Sequence, residues 1–177
     1  MRVLASNPDT IGDLVLRQPL YAALRAAGHE LALVVRPSAV AAAPLVAPGV
    51  DVLVLPPVEV YAADAVDGRW ADFHPVVAAA AAWKPDLLLV APYQWTRFEE
   101  RLADALRQDL PGLRVVGMAG RLFAGDPHAG EPPASALRMD DAAAVDEDLP
   151  EAEKNAALAA LLGCPVPSPD PRVEPGE

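Results

Sequence analysis

The fold of this chain is decided by residues 2–37, RVLASNPDTIGDLVLRQPLYAALRAAGHELALVVRP. Two Val- and Leu-rich runs flank an alanine-rich segment at 19–27, which has Pro19 in its first turn and Gly28 after its last. Short apolar runs are typical of buried parallel strands, and the segment between them is typical of a helix. The stretch therefore predicts a βαβ unit. Its first loop is unusually long, unless the helix begins near Asp13 and tolerates Pro19.

The same alternation continues along the chain. Five apolar runs predict the strands of one parallel sheet, at 2–6, 30–35, 51–55, 86–91 and 114–118. Helices are predicted between strands at 19–27, 72–83 and 96–108. Right-handed crossovers place such helices on both faces of the sheet. The predicted fold is α/β, a Rossmann-like parallel sheet with helices on both faces.

The C-terminal part of the chain has a different character. Residues 120–133 are rich in Gly and Pro, and residues 139–153 are acidic with little periodic apolar content, so both predict loop or linker. An amphipathic helix and a proline-rich tail follow. We therefore divide the chain into a Rossmann-like domain at 1–149, a terminal helix at 150–163 and a tail or linker at 164–177.

Length and composition indicate one folded domain. The chain has 177 residues, of which 53% are hydrophobic and 22% charged. Its apolar runs are shorter than the roughly 20 residues that cross a bilayer, so we expect no transmembrane segment. Asn7, Asp9 and Asp13 interrupt the first apolar run, which is unlike a signal peptide. We expect a cytoplasmic protein, either free or peripheral to the inner membrane.

Charge and ligand-type residues exclude several functions. A net charge of −11 argues against a nucleic-acid surface. Cys164 is the only cysteine, so no disulfide within the chain and no cysteine-based metal cage is expected. His29, His74 and His128 share no ligand spacing, and the acidic run 140–153 lacks the glycine turn of a calcium loop. We expect neither a bound metal nor a cofactor.

The loop at 5–13, ASNPDTIGD, joins the first strand to the first helix at the carboxyl edge, where parallel sheets bind ligands. It holds only Gly12 where a dinucleotide loop needs three glycines, and it lacks the Gly-Lys-Ser/Thr of a phosphate-binding loop. The spacing Thr10-x-x-Asp13 also fits a capping box, so Asp13 has a purely structural alternative as a helix cap.

A second candidate segment, 91–97, APYQWTR, follows the fourth strand at the same edge. Tyr93, Trp95 and Arg97 belong to the residue types that stack on sugars and donate hydrogen bonds to them. The alternative is that the two aromatic side chains cover the sheet edge while Arg97 pairs with Glu100 one helical turn later.

The sequence resembles glycosyltransferase family 9, the lipopolysaccharide heptosyltransferases and their relatives. The residues that carry the resemblance near the N-terminus are the first strand, Ile11-Gly12-Asp13, Pro19-Leu20 and Val35-Arg36-Pro37. Those that continue it are Lys84-Pro85-Asp86-Leu87-Leu88-Leu89, Glu153-Lys154-Asn155 and Gly163-Cys164-Pro165-Val166. The resemblance covers nearly the whole chain.

The resemblance implies the N-terminal half of a two-domain, GT-B type enzyme. That half would bind the acceptor, and an absent C-terminal domain or partner chain would bind the nucleotide-sugar donor. The complete inverting enzyme would transfer a heptose or related sugar to a cell-envelope or lipid-linked glycan, as in lipopolysaccharide biosynthesis. We expect the isolated chain to be inactive.

The resemblance also implies roles for single residues. Asp13 matches the catalytic base, a role that suits a carboxylate because the acceptor hydroxyl loses its proton as it attacks. Gly12 would let the backbone approach the sugar. The other expected acceptor-binding residues are Asn7, Thr10, Tyr93, Trp95 and Arg97. Many relatives carry a Lys or Arg shortly before the Gly-Asp pair, whereas this chain has Asn7-Pro8-Asp9, so a basic contact to an acceptor phosphate is not implied there.

Two other functions are weighed against this one. A stand-alone, non-catalytic Rossmann-like binding module would keep the fold without the chemistry, and the half-length chain is consistent with it. An ordinary dinucleotide-dependent enzyme is disfavoured by the missing glycines.

Overall fold

The computed structural model describes residues 1–123 and 137–166. The strands are β1 (Arg2–Asn7), β2 (Glu30–Val35), β3 (Asp51–Val54), β4 (Leu87–Val90), β5 (Gln94–Trp95), β6 (Arg114–Met118), β7 (Arg121–Leu122) and β8 (Asp141–Ala143). The helices are α1 (Ile11–Leu16), α2 (Gln18–Ala26), α3 (Ala43–Val46), α4 (Ala63–Gly68), α5 (Trp70–Trp83), α6 (Arg97–Asp109) and α7 (Glu151–Leu161), with a 3-10 turn at Pro37–Ala39.

Six strands form one parallel sheet in the order β3-β2-β1-β4-β6-β8. The chain builds outward from β1 to β3 and then crosses back to place β4 on the other side of β1. The point where the strand order reverses lies between β1 and β4, and in open α/β sheets a crevice forms there beyond the carboxyl ends of the strands. The predicted α/β, Rossmann-like class is confirmed.

The two faces of the sheet are covered by different helices. Val3, Ala5 and Leu33 belong to a core that packs under α1, α2, α3 and α7. The intervening residues Leu4 and Val34 belong to a second core under α4, α5 and α6. Successive side chains in a strand point to opposite faces, so strands buried on both sides read as continuous apolar runs. This pattern explains why the predicted strand boundaries lie within one residue of those observed.

The long first loop predicted as one alternative is absent. Instead, α1 begins after an N-cap at Thr10, and α2 begins directly after it with Pro19 in its first turn. Arg17 is both the C-cap of α1 and the N-cap of α2. Because a proline in the first turn sacrifices no helical hydrogen bond, a break at Arg17 accommodates Pro19.

The expectation of loop or linker at 139–153 is wrong in part, because β8 lies inside this stretch and forms the edge of the sheet beyond β6. Its sequence, Asp-Ala-Ala, has no β-branched residue and no alternation, so nothing in the sequence marked it. β7 likewise lies within the stretch 120–133, which was expected to be loop; residues 124–136, with His128, lie outside the described residues.

Helix α7 packs against α2 and β8, on the same face as α1. The predicted tail at 167–177 lies outside the described residues, and the division of the chain at 149 and 163 stays a prediction. Among the described residues, no helix is long and apolar enough to cross a membrane.

Candidate functional site

A cleft of about 390 Å³ opens at the carboxyl edge, where the loops after β1 and β4 meet α1 and the start of α7. Its aromatic walls are Tyr61, Tyr93 and Phe123. Its charged lining comprises Asp9, Asp13, Arg17, Glu147, Glu151 and Lys154. The cleft therefore combines apolar rings with carboxylates and cations at the position that the strand order favours for a ligand.

Asp13 lines this cleft and also caps α1. Its Oδ2 atom accepts hydrogen bonds from the Thr10 hydroxyl at 2.7 Å and from the Thr10 backbone N–H at 3.1 Å. The Asp13 N–H donates back to the Thr10 hydroxyl at 3.4 Å, which completes the capping box. Both bonds to the carboxylate fall on Oδ2, and no residue in the described part of the chain donates to Oδ1. One oxygen can therefore cap the helix while the other is left for a ligand.

Gly12 is exposed at the start of α1. A Cβ atom built on it would come no closer than 3.5 Å to its nearest neighbour, the Thr10 hydroxyl oxygen, which is an ordinary contact. The fold itself does not require glycine at this position, so the expected close approach of a sugar to its backbone stays a prediction.

Asn7 is buried beneath the loop rather than exposed in the cleft. Its Oδ1 atom accepts hydrogen bonds from Arg17 Nη1 at 2.6 Å and from the Tyr21 hydroxyl at 3.0 Å. Arg17 also forms an ion pair with Asp9 at 2.6 Å and lies 3.8 Å from Glu151. Asn7 thus holds the Arg17 guanidinium beneath the loop. Because the Asn7 side chain is buried, the geometry does not support the contact expected between Asn7 and the acceptor.

Several neighbours together keep Arg17 charged. Burial has the largest single effect and on its own would lower the pKa of Arg17, but Asp9, Tyr21 and Glu151 together outweigh it and the pKa is raised. Tyr61 donates its hydroxyl proton to Asp9 Oδ1 at 2.9 Å. Burial, and then the Asp9 charge, raise the pKa of Tyr61, so its hydroxyl stays neutral and donates. Asp9 is therefore bound from both sides.

The opposite wall is built around Tyr93. The ammonium of Lys154 lies 4.8 Å from the centre of the Tyr93 ring, within the range of a cation–π contact. Lys154 Nζ lies 3.7 Å from Glu151 Oε2, which is an ion pair beyond hydrogen-bond distance. The phenyl ring of Phe123 lies 5.0 Å from that of Tyr61 and completes the aromatic lining.

The structure brings Tyr93 to the cleft together with Asp13, but not the other two residues expected there. Trp95 is 6% exposed and packs in the second core with Phe98. Arg97 pairs with Glu100 at 2.8 Å and with Asp67 at 3.2 Å. The structural alternative for Arg97 is therefore confirmed, and the buried Trp95 has no surface on which a sugar could stack.

Several cleft residues were missed by the sequence analysis. Arg17 carried no signal beyond its place between two helical segments, and Tyr61 lies in a segment without a clear pattern. Lys154 belongs to a family-like triplet in the C-terminal helix, which was the one hint available. In the described part of the chain, no cluster of three or more His, Cys, Asp or Glu residues could hold a metal ion.

Solved structures of other proteins match this fold, although their sequences differ widely from this one. No family model matches the chain, and no curated protein matches it significantly. The Escherichia coli heptosyltransferase WaaC with ADP matches with a TM-score of 0.63 and 18% identity over 94% of this chain and 48% of that one. A family 9 glycosyl transferase from Veillonella parvula matches with a TM-score of 0.64 and 16% identity, over 97% and 44%.

The chain has the fold of the family 9 glycosyltransferases. The E. coli ADP-heptose lps heptosyltransferase II agrees, with a TM-score of 0.59 and 15% identity over 98% of this chain and 47% of that one. At these identities the likeness establishes the fold, and the resemblance noted in the sequence is confirmed at that level. The chain spans about half the length of these solved structures.

Proposed function

We propose that this chain is the N-terminal, acceptor-binding half of an inverting GT-B glycosyltransferase. The observation that carries the proposal is the Asp13 carboxylate, which lines the cleft at the switch point between β1 and β4 with one oxygen left for a ligand. The complete protein transfers a heptose or related sugar from a nucleotide-sugar to a cell-envelope glycan. The half-length match to family 9 structures supports a two-domain parent protein.

Asp13 acts in this proposal as the general base. Its Oδ1 atom accepts the proton of the acceptor hydroxyl while the hydroxyl oxygen forms a bond to the anomeric carbon. The bond between that carbon and the diphosphate oxygen breaks, and the nucleotide diphosphate leaves with the electron pair. A single displacement inverts the anomeric configuration. The two hydrogen bonds from Thr10 hold the carboxylate in place during the transfer.

The donor side of the reaction belongs to the second half in this proposal. WaaC has been solved with ADP and with ADP-2-deoxy-2-fluoro heptose, so a nucleotide-sugar is the donor class that we assign. The cleft cations of this chain are already paired with carboxylates, so they are not free to stabilise a departing diphosphate. We therefore expect the isolated chain to show no transfer, and robust turnover by it would contradict the two-half arrangement.

The test is transfer by a two-domain protein in which this chain is joined to the C-terminal half of WaaC, with ADP-heptose as donor and methyl glycosides as acceptors. We expect Asp13→Asn to lower kcat by about 10²- to 10⁴-fold, because the amide cannot take up a proton. Asp104→Asn is the control, since Asp104 is an exposed carboxylate on α6 outside the cleft. An unchanged rate in Asp13→Asn would reduce Asp13 to a helix cap.

A second candidate function is a non-catalytic sugar-binding module. It is favoured by the capping box, which gives Asp13 a structural role that needs no chemistry. In that case the joined protein binds a glycoside in the cleft and transfers nothing, with or without the Asp13 carboxylate.

A further inference from the structure

The charges that line the cleft are paired locally. Arg17 lies 2.6 Å from Asp9, and Glu151 lies between the two cations, 3.8 Å from Arg17 and 3.7 Å from Lys154. The charges of these two cations and of the Asp9 and Glu151 carboxylates sum to zero. The described lining therefore offers no basic side chain without a carboxylate beside it.

Glu147, on the rim of the cleft, is paired in the same way. Arg121 forms an ion pair with it at 2.6 Å, and the Gln94 amide donates to it at 3.3 Å. The Asp13 carboxylate has hydrogen bonds from Thr10 but no cation within ion-pair distance among the described residues. Among the described lining residues, Asp13 is thus the one charge without a partner of opposite sign. The four carboxylates and two cations of that lining, counted with Arg121 beside Glu147, carry a net charge of −1.

Lys154 brings hydrogen-bond donors to the cleft, while its positive charge is balanced by the neighbouring Glu151 carboxylate. The residue is 7% exposed, yet its ammonium contacts only the Tyr93 ring face and the distant Glu151 carboxylate among the described residues. An ammonium has three N–H groups that can donate hydrogen bonds. Lys154 lines the cleft, so these groups can donate to the oxygen atoms of a ligand.

We infer that the acceptor group bound in this cleft is an uncharged sugar, and that sugars carrying a phosphate or carboxylate are disfavoured there. This inference rests on the proposed function and names its acceptor class. The Lys154 ammonium donates to hydroxyl or ring oxygens, the rings of Tyr61 and Tyr93 contact the apolar face of the sugar, and Asp13 receives the reacting hydroxyl. An anionic group entering the same cleft would meet the uncompensated Asp13 carboxylate, and the described lining holds no unpaired cation to offset it.

The test measures binding to the chain of residues 1–177 by NMR at low salt. The ligands are the methyl glycosides of glucose, galactose and mannose, each beside its 6-phosphate and its uronic acid, with inorganic phosphate as the bare anion. We expect at least one neutral glycoside to shift the signals of cleft residues and its charged forms to bind about tenfold more weakly. Added salt should narrow that difference, because screening weakens repulsion.

The same binding measurements on a variant with one carboxylate fewer test the role of the local charge balance. Glu151→Gln removes the carboxylate shared by the two cations, so the ratio of anionic to neutral binding should rise about tenfold. Glu153→Gln, an exposed carboxylate two residues along the same helix and outside the cleft, should leave that ratio at the wild-type value.

Each of three results would overturn the inference. Preference of the wild-type chain for sugar phosphates or uronic acids would overturn the inference and leave the acceptor-binding function standing. Absence of binding by every glycoside, charged or neutral, would overturn both. A ratio that does not move in Glu151→Gln would show that the local charge balance does not select the acceptor, and would also overturn the inference.

Discussion

Arg17 and Asp9 form a buried ion pair, with Nη1 2.6 Å from Oδ2, directly beneath the loop that carries Asp13. The same guanidinium donates to Asn7 at the end of β1 and approaches Glu151 at the start of α7. One side chain thus connects the strand, the loop and the terminal helix. We therefore expect the geometry of the cleft to depend on Arg17.

We predict that Arg17→Met lowers the free energy of unfolding by about 3–5 kcal/mol, because it leaves the buried Asp9 carboxylate without its cation. Urea unfolding followed by tryptophan fluorescence measures the change. Arg25→Met on α2 is the control, since Arg25 is exposed and should change the free energy by less than about 0.5 kcal/mol. A loss below about 1 kcal/mol for Arg17→Met would contradict a supporting role.

Gly120 approaches the backbone of Tyr93 so closely that a Cβ atom would overlap the Tyr93 carbonyl oxygen. This contact lies beside the hydrogen bond from the Arg121 N–H to the same carbonyl, which holds β7 against β5. A backbone atom cannot rotate away, so Gly120→Ala should displace Tyr93 from the cleft wall.

We predict a loss of about 1–3 kcal/mol in stability for Gly120→Ala and weaker binding of any cleft ligand. Gly112→Ala is the matched control, because nothing lies within 4 Å of a Cβ atom built there. Denaturant unfolding gives the stability, and chemical shifts of the Tyr93 amide report its position. Equal stability of the two variants would contradict the close approach.

The sequence predicted the central sheet well because the inner strands are buried on both faces and read as plain apolar runs. It also placed Asp13 and Tyr93 at one edge, since both follow neighbouring parallel strands. Trp95 was misjudged because side chains alternate along β5: Gln94 lines the cleft, and the next side chain turns into the core.

The remaining cleft residues could not be placed from the sequence. Arg17 meets Glu151 only because α7 packs back on α2, and no local pattern encodes a contact between segments more than 130 residues apart. Lys154 and Glu151 are one turn apart in α7, but the sequence does not show that this turn lines the cleft. Capping boxes, by contrast, are local, and Thr10-x-x-Asp13 was recognisable from spacing alone.

Glu99 provides a test of pH dependence. It is fully buried, accepts hydrogen bonds from the Ser6 and Thr96 hydroxyls, and has its pKa raised by burial from 4.5 to about 7. In this pH window the folded chain holds a proton that the unfolded chain has lost, so stability falls as pH rises from about 4.5 through about 7. Ionisation of Glu99 should lower the free energy of unfolding by up to about 3 kcal/mol by pH 8.

We predict that Glu99→Gln removes this loss, so the variant gains stability relative to wild type as the pH increases. An amide can accept from Thr96 and donate to the Ser6 oxygen, which preserves the contacts. Unfolding free energies at pH 4.5, 6 and 8 measure the effect, with Asp104→Asn as the exposed control. A difference between variant and wild type that stays constant over this range would contradict a raised pKa.

The two roles of Asp13 can be separated by comparing it with its capping partner. Thr10→Ala removes the hydroxyl that binds Asp13 Oδ2 and should cost about 0.5–2 kcal/mol of stability, while the rate of the joined two-domain protein falls less than tenfold because the base is retained. Asp13→Asn keeps an oxygen that can accept from Thr10, so its stability should change little while transfer falls by orders of magnitude. Urea unfolding and initial rates of transfer, measured on both variants, separate cap from base. Parallel losses of stability and rate in the two variants would mean that Asp13 acts only by holding the helix in place.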